Sequence, residues 1–214
     1  MSFFYNQLED FLKEYEVDIP ISDVEAFEKY RNYNKVYNKL EIAKFQNLDA
    51  NPFPCFPKKF PIVSKPIINL FGMGLNAFKI SSKKKFIDHL PTNNFWCEFL
   101  EGDHLGWDFV IRDGKIIYYV CFYGKKLNFG TFKYWSQIES PKILDNIEKI
   151  IDHYFEGYTG IVNMETLGNY VIEVHLRMGD IKTCDLSISK LALLNYTDND
   201  DLIKNQLELI NKKN

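Results

Sequence analysis

The run Tyr170-Val171-Ile172-Glu173-Val174-His175-Leu176-Arg177 alternates apolar and charged residues. In an extended strand, residues two apart share a face, whereas a helix would scatter this pattern around its axis. Ile172, Val174 and Leu176 are therefore expected to pack one way, and Glu173, His175 and Arg177 to point the other. Tyr158 to Met164 is the partner strand, turned through Gly168-Asn169, and Asn163 and Glu165 share a face on that arm. Across the hairpin the polar faces meet, gathering Asn163, Glu165, Glu173 and His175 around one point. Hard oxygen ligands of this kind suit Mg²⁺ or Mn²⁺ bridging nucleotide phosphates. An exposed polar sheet face has the same alternation and is the plain alternative.

The first fifty residues follow a different period. Leu8, Phe11 and Leu12 fall at helical spacing, as do Val24, Phe27 and Tyr30, and Ser22 with Glu25 resembles a capping box opening the second helix. A third helix is predicted over 36–46. Asn51-Pro52-Phe53-Pro54-Cys55-Phe56-Pro57 then breaks regular structure. Beyond it, strands are predicted over 60–66, 77–80, 95–100, 107–111 and 116–122, with Asp113-Gly114 as a hairpin turn between the last two. Ile143, Ile147, Ile150 and Ile151 place an amphipathic helix over 141–155, and the polar end from Asp200 reads as a helical tail. The reading is one α+β unit: a helical start and an antiparallel-rich body.

Composition narrows the function classes. Hydrophobic residues at 46% and charged residues at 26% describe an ordinary folded domain and rule out a mostly disordered chain. The formal charge of −3 supplies no basic field, so nucleic acid is not an expected partner. The longest apolar runs are strand-sized, which argues against a membrane span, and the amino terminus lacks the pattern of a secretory signal. Cys55, Cys97, Cys121 and Cys184 are too scattered for a zinc knuckle or redox pair, so they read as reduced thiols of a cytoplasmic protein. Trp96, Trp107 and Trp135 leave room for a homodimer interface.

Two further segments carry chemistry. Lys65 ends an apolar strand, and Gly72-Met73-Gly74 follows. A fixed cation next to a loop whose amides can approach oxygens is what a phosphate site needs, although lysines at strand ends and paired glycines are common without one. In Cys97-Glu98-Phe99-Leu100-Glu101-Gly102-Asp103-His104, a strand passes through Glu98 into an apolar pair and turns. An adenine ring would use such an edge, with main-chain polar atoms for its rim and apolar walls for its faces; an ordinary strand and turn is the alternative.

Taken in order, these segments resemble the ATP-grasp superfamily of carboxylate–amine ligases over roughly residues 36–180. Asn38-Lys39-Leu40 and the strand ending in Lys65 are similar to that family's paired phosphate-binding lysines, and Gly72-Met73-Gly74 to its glycine loop. Cys97 to Gly102 resembles its adenine hinge, Asp108 to Ile116 the strand and turn that follow, and Ile172 to Arg177 its metal-binding E-x-N-x-R strand.

The resemblance implies a two-lobed fold clasping ATP with Mg²⁺ or Mn²⁺, a short helical extension (1–35) in place of a full N-terminal domain, an ATP-grasp-like domain (36–196) and a polar tail (197–214). It implies ligation of small-molecule carboxylate and amine substrates through an acylphosphate. Lys39, Lys65, Gly72 and Gly74 would then hold phosphates, with Glu98, Phe99 and Leu100 on adenine and His104 at the ribose. Glu165, Glu173 and His175 would hold metal, with Asn163 the alternative to Glu165, and Arg177 and Lys65 would serve catalysis. His175 stands where the family usually carries Asn, and imidazole favours Mn²⁺ over Mg²⁺. A nucleotide-binding pseudoenzyme and a phosphotransferase remain as alternatives on the same fold.

Overall fold

The computed structural model describes Lys13 and residues 18–71, 76–88, 91–128, 131–139 and 141–179. Helix α1 spans Asp23–Lys29, a 3₁₀ turn Asn34–Tyr37 and helix α2 Lys39–Phe45. Strands β1 (Ala50–Pro52), β2 (Ile62–Pro66) and β3 (Phe78–Ile80) precede helix α3 (Lys83–Asp88) and strand β4 (Asn94–Glu98). Strands β5 (His104–Arg112), β6 (Lys115–Asn128) and β7 (Thr131–Ile138), helix α4 (Asp145–Tyr154), then strands β8 (Gly160–Leu167) and β9 (Tyr170–His175) complete the order. The segments around Leu8–Leu12 and after Asp200, and Cys184, lie outside the described residues.

Local chemistry accounts for most boundaries. The Ser22 hydroxyl accepts from the Glu25 N–H at 3.2 Å, and the Glu25 carboxylate accepts from the Ile21 N–H at 3.1 Å, so both capping residues work at the start of α1. The third predicted helix is split: Asn38 is extended and caps α2, its side chain accepting from the Glu41 N–H at 3.1 Å. Asp113 and Gly114 both have positive φ, 50° and 76°, as the tight turn between β5 and β6 requires. Helix α4 begins at Asp145 rather than at the predicted Pro141. The sequence pattern does not predict strand β7, and β1 runs into Asn51-Pro52, where a break in regular structure is expected.

The strands form two antiparallel sheets, one of four strands in the order β1-β4-β2-β3 and one of five in the order β7-β6-β5-β8-β9. Beneath the five-stranded sheet lies the main core, where Trp107, Phe109, Val162 and Met164 meet Ile147, Ile150 and Ile151 of α4. Ala26 of α1, with Val36, Tyr37 and Ile42, belongs to this same core. Two smaller cores sandwich the four-stranded sheet, one with Ala43, Leu48 and Phe95, the other with Ile62, Ile80, Phe86 and Trp96.

Three expectations are corrected. Phe27 and Tyr30 pack against the main core as expected, but Val24 is 42% exposed, and Asp23 and Ala26 are the buried residues of α1. Ile172 does not pack with Val174: the pairing shifts register after Glu165↔Glu173 to Thr166↔Val171, leaving Ile172 as the extra residue of a bulge. Val171 and Val174 take the core positions instead. Trp96 and Trp107 are buried, so neither offers surface to a second copy of the chain.

Candidate functional site

Between the two sheets lies a cleft of about 760 Å³. Its floor is the outward face of the five-stranded sheet, because the residues alternating with the core strip of β5, β8 and β9 point there. His104 and Gly106 come from β5, Asn163 and Glu165 from β8, and Glu173 and His175 from β9. The register sets Asn163 opposite His175 and Glu165 opposite Glu173. From the four-stranded sheet come Val63, Lys65 and Cys97, and the chain leaving β4 adds Phe99 and Leu100. Lys39, from the start of α2, and Asp23, from the start of α1, close the cleft along one side.

The charges of this cleft are connected. The Lys39 ammonium, itself buried, donates to Glu173 Oε1. Glu173 Oε2 lies 3.3 Å from His175 Nε2, and His175 Nδ1 lies 2.9 Å from Asp23 Oδ1. The Arg177 guanidinium donates to Asp23 Oδ2 at 2.7 Å, and the Tyr37 hydroxyl to Asp23 Oδ1 at 3.0 Å. A second pair stands nearby, His104 Nε2 with Glu165 Oε2 at 2.8 Å. Lys65 donates to the Ile172 carbonyl at 3.1 Å, at the bulge of β9, and lies over the Phe95 ring.

Burial and pairing together set the protonation states. Burial alone would raise the Glu173 carboxyl, but Lys39, His175 and Lys65 outweigh it and hold the group well below the usual carboxylate range. Burial would likewise raise Asp23, yet hydrogen bonding and charge from His175 and Arg177 bring it down to about 2. For His175 burial acts downward, and the carboxylates of Asp23 and Glu173 reverse it, lifting the imidazole to about 9. At neutral pH the ring is thus an imidazolium donating from both nitrogens. Burial and the neighbouring Lys39 push Lys65 down, and burial pushes the Cys97 thiol up to about 11. Asp108 is raised by burial while accepting from Gly179 N–H at 2.7 Å and Asn163 Nδ2 at 3.0 Å.

Among the residues singled out from sequence, Lys39, Lys65, Glu98, Phe99, Leu100, His104, Asn163, Glu165, Glu173, His175 and Arg177 all line this one cleft. Gly72 and Gly74 lie outside the described residues. Ligand atoms of Glu165, Glu173 and His175 lie within 4.8 Å of one another. The Asn163 amide nitrogen donates to the Trp107 carbonyl and to Asp108 at 3.0 Å each. Glu98 accepts from the Asp49 N–H at 2.8 Å, tying β4 to the entry of β1, while Phe99 and Leu100 stand beside Leu48 and Ala43 as apolar wall.

Sequence reasoning missed Asp23, Tyr37 and Asp108, and also the aromatic wall of Phe132 and Trp135, whose rings lie 4.5 Å apart against His104. One signal for Asp23 was available: it precedes Ala26 and Phe27 by three and four residues, a carboxylate on an otherwise apolar helical stripe.

No family model matches the sequence, and no curated protein does. Solved structures do match in fold. An L-amino acid ligase from Bacillus licheniformis superposes with a TM-score of 0.53 at 17% identity, over 72% of this chain and 42% of the ligase. A carboxyaminoimidazole ribonucleotide synthase from Aspergillus clavatus, complexed with ATP, gives 0.54 at 13% identity, over 81% of this chain and 52% of that one. The ATP-grasp ligase PsnB complexed with its minimal precursor gives 0.54 at 12% identity, over 79% and 63%. The chain spans between 42% and 63% of the length of these three proteins. It has an α+β fold of the ATP-grasp kind over the part that superposes.

Proposed function

We propose that the chain is an ATP-dependent ligase that activates a carboxylate as an acylphosphate and transfers the acyl group to an amine. The observation that supports this best is the convergence, in one cleft, of two lysines with the Glu165–Glu173–His175 cluster, opposite an apolar strand edge. Structural neighbours crystallised with ATP, or with Mg and ADP, favour the same reading.

The donor set fits a hard divalent cation through its carboxylates: Glu165 and Glu173 would hold it, with the His175 ring beside them and bonded to Asp23 and Glu173. Such an ion, when bound, neutralises phosphate charge and orients the terminal phosphoryl group. This chain's residues do the rest. Lys39 now neutralises Glu173; an arriving triphosphate offers it a second anion, which frees Glu173 for a cation. Lys65 adds a positive charge from the opposite sheet, where desolvation strengthens its attraction to phosphate. Arg177 stands at the cleft wall to stabilise negative charge that develops during phosphoryl transfer. Val63, Leu48, Phe99 and Leu100 provide apolar surface for a base.

Thermal-shift titration with ATP and Mg²⁺ or Mn²⁺, followed by ADP release, tests the reading. ATP with metal is expected to stabilise the protein, and ADP is expected to form with a carboxylate plus an amine but with neither alone. ATP binding of equal strength with and without divalent metal, and no turnover across a carboxylate and amine panel, overturns it. That outcome belongs to a second reading, a nucleotide-binding module without turnover. One observation favours it: both ring nitrogens of His175 already face carboxylates, so the ring has no lone pair to offer a metal.

A further inference from the structure

Strand β9 ends at His175, so Arg177 projects from chain that no sheet ladder holds. Side chains take over that task. The Tyr37 hydroxyl accepts from the Leu176 N–H at 3.1 Å, and Asp108 accepts from the Gly179 N–H at 2.7 Å. Between those two anchors a single carboxylate, Asp23, receives His175 Nδ1 and the Tyr37 hydroxyl on Oδ1 and Arg177 Nη2 on Oδ2. We propose that Asp23 is a positioning residue, carried in by helix α1 to fix the His175 ring and the Arg177 guanidinium relative to Glu173; its chemical consequence rests on the ligase reading.

Helix α1 does not need Asp23 for its own start, since Ser22 and Glu25 already satisfy the first turn. The carboxylate is 3% exposed, and its described partners on the sheet side are cleft-lining groups. Without the Asp23 carboxylate, the Arg177 guanidinium loses its 2.7 Å bond to Oδ2 and the His175 ring loses its partner at Nδ1, so two cleft side chains lose a shared point of attachment. His175 would face Glu173 alone. A guanidinium that must meet developing charge loses effectiveness steeply with small misplacement. Placement, rather than contact with substrate, is therefore the role.

The experiment uses the full chain with Asp23→Asn, which keeps shape and removes charge, and Asp23→Glu, which keeps charge on a longer arm. Turnover is read as ADP release from ATP and Mg²⁺ with a pooled amino-acid mixture as carboxylate and amine source. For Asp23→Asn, kcat is expected to fall about tenfold or more while KM for ATP stays within about threefold, and Asp23→Glu is expected to recover part of the loss. In parallel, ¹⁵N-resolved signals of the His175 ring and the Arg177 guanidinium are expected to move in Asp23→Asn. Wild-type kcat in a folded Asp23→Asn protein, or His175 and Arg177 signals that stay in place, overturns the proposal. Should Asp23→Asn not fold, wild-type kcat with unmoved signals in Asp23→Glu overturns it equally. If the wild type itself releases no ADP, the ligase reading fails, and the two sets of signals alone decide whether Asp23 is the clamp.

Discussion

The two sheets face the same cleft with opposite preparations. The five-stranded sheet presents carboxylates that already have partners, Glu173 with Lys39 and His175 and Glu165 with His104, and Asp23 of α1 joins them through His175 and Arg177. The four-stranded sheet presents mostly apolar side chains, the Glu98 carboxylate bound to the Asp49 N–H, and one cation, Lys65, whose described partners are a carbonyl and a ring. One wall has its charges already paired; the other holds Lys65, with no carboxylate bonded to it among the described residues. An anionic ligand therefore gains most from the four-stranded side, and a cation accompanying it gains most from the five-stranded side.

Glu173→Gln attacks the prewired wall where it is densest and carries the largest expected effect. It leaves Lys39 and His175 buried with one acid fewer, at a cost of about 3 kcal/mol, and is expected to abolish ADP release. Urea denaturation with the release assay checks both; a variant as stable and active as the wild type would erase the contrast between the walls.

A pH series sharpens the same contrast without mutation. His175, facing Asp23, Glu173, Arg177 and the Tyr37 ring, is raised in the fold to about 9. Its contribution is complete below the unfolded value near 6.5 and is lost as pH climbs through 9, up to about 3 kcal/mol in all. Asp23, lowered to about 2, acts oppositely: its contribution is complete above the unfolded carboxylate range and is lost as pH falls toward 2. Urea midpoints of metal-free protein are thus expected to fall on the alkaline side, and Asp23→Asn to flatten that limb.

Lys65→Ala probes the other wall and carries the smallest effect on the fold. Burial and Lys39 already disfavour the charged form of Lys65, so its removal is expected to leave stability within about 1 kcal/mol. ATP affinity is expected to fall about ten- to a hundredfold, measured calorimetrically. Lys84→Ala, on the exposed face of α3, serves as the control. Equal affinities in the two variants would remove Lys65 from the phosphate site.

Sequence reading reached elements whose signal is local. The Asp113-Gly114 turn, the Ser22–Glu25 cap and the hairpin of β8 and β9 each follow from a few neighbouring residues, and all are present. Strand β7 escaped because most of its residues are exposed, so no buried face imposes alternation. The bulge at Ile172 escaped because one extra residue leaves no mark on an alternating run; it is settled by what β8 offers across the ladder. Asp23 escaped because an acid in a helix's first turn has an ordinary explanation in the helix dipole. Only the arrival of His175 and Arg177 from the far end of the fold gives that acid a different role.

Gln46 sits against the outer edge of β9, donating from Nε2 to the Val171 carbonyl at 2.8 Å and accepting the Val171 N–H on Oε1 at 2.8 Å. A primary amide in that geometry reproduces both hydrogen bonds that one residue of a neighbouring strand would make. Gln46 is thereby a one-residue stand-in for a sixth strand, and the sheet margin closest to the charged cleft is closed to an intruding chain. The Val171 amide is accordingly expected to exchange as slowly as that of a residue in mid-sheet, which leaves β7 as the other margin of this sheet.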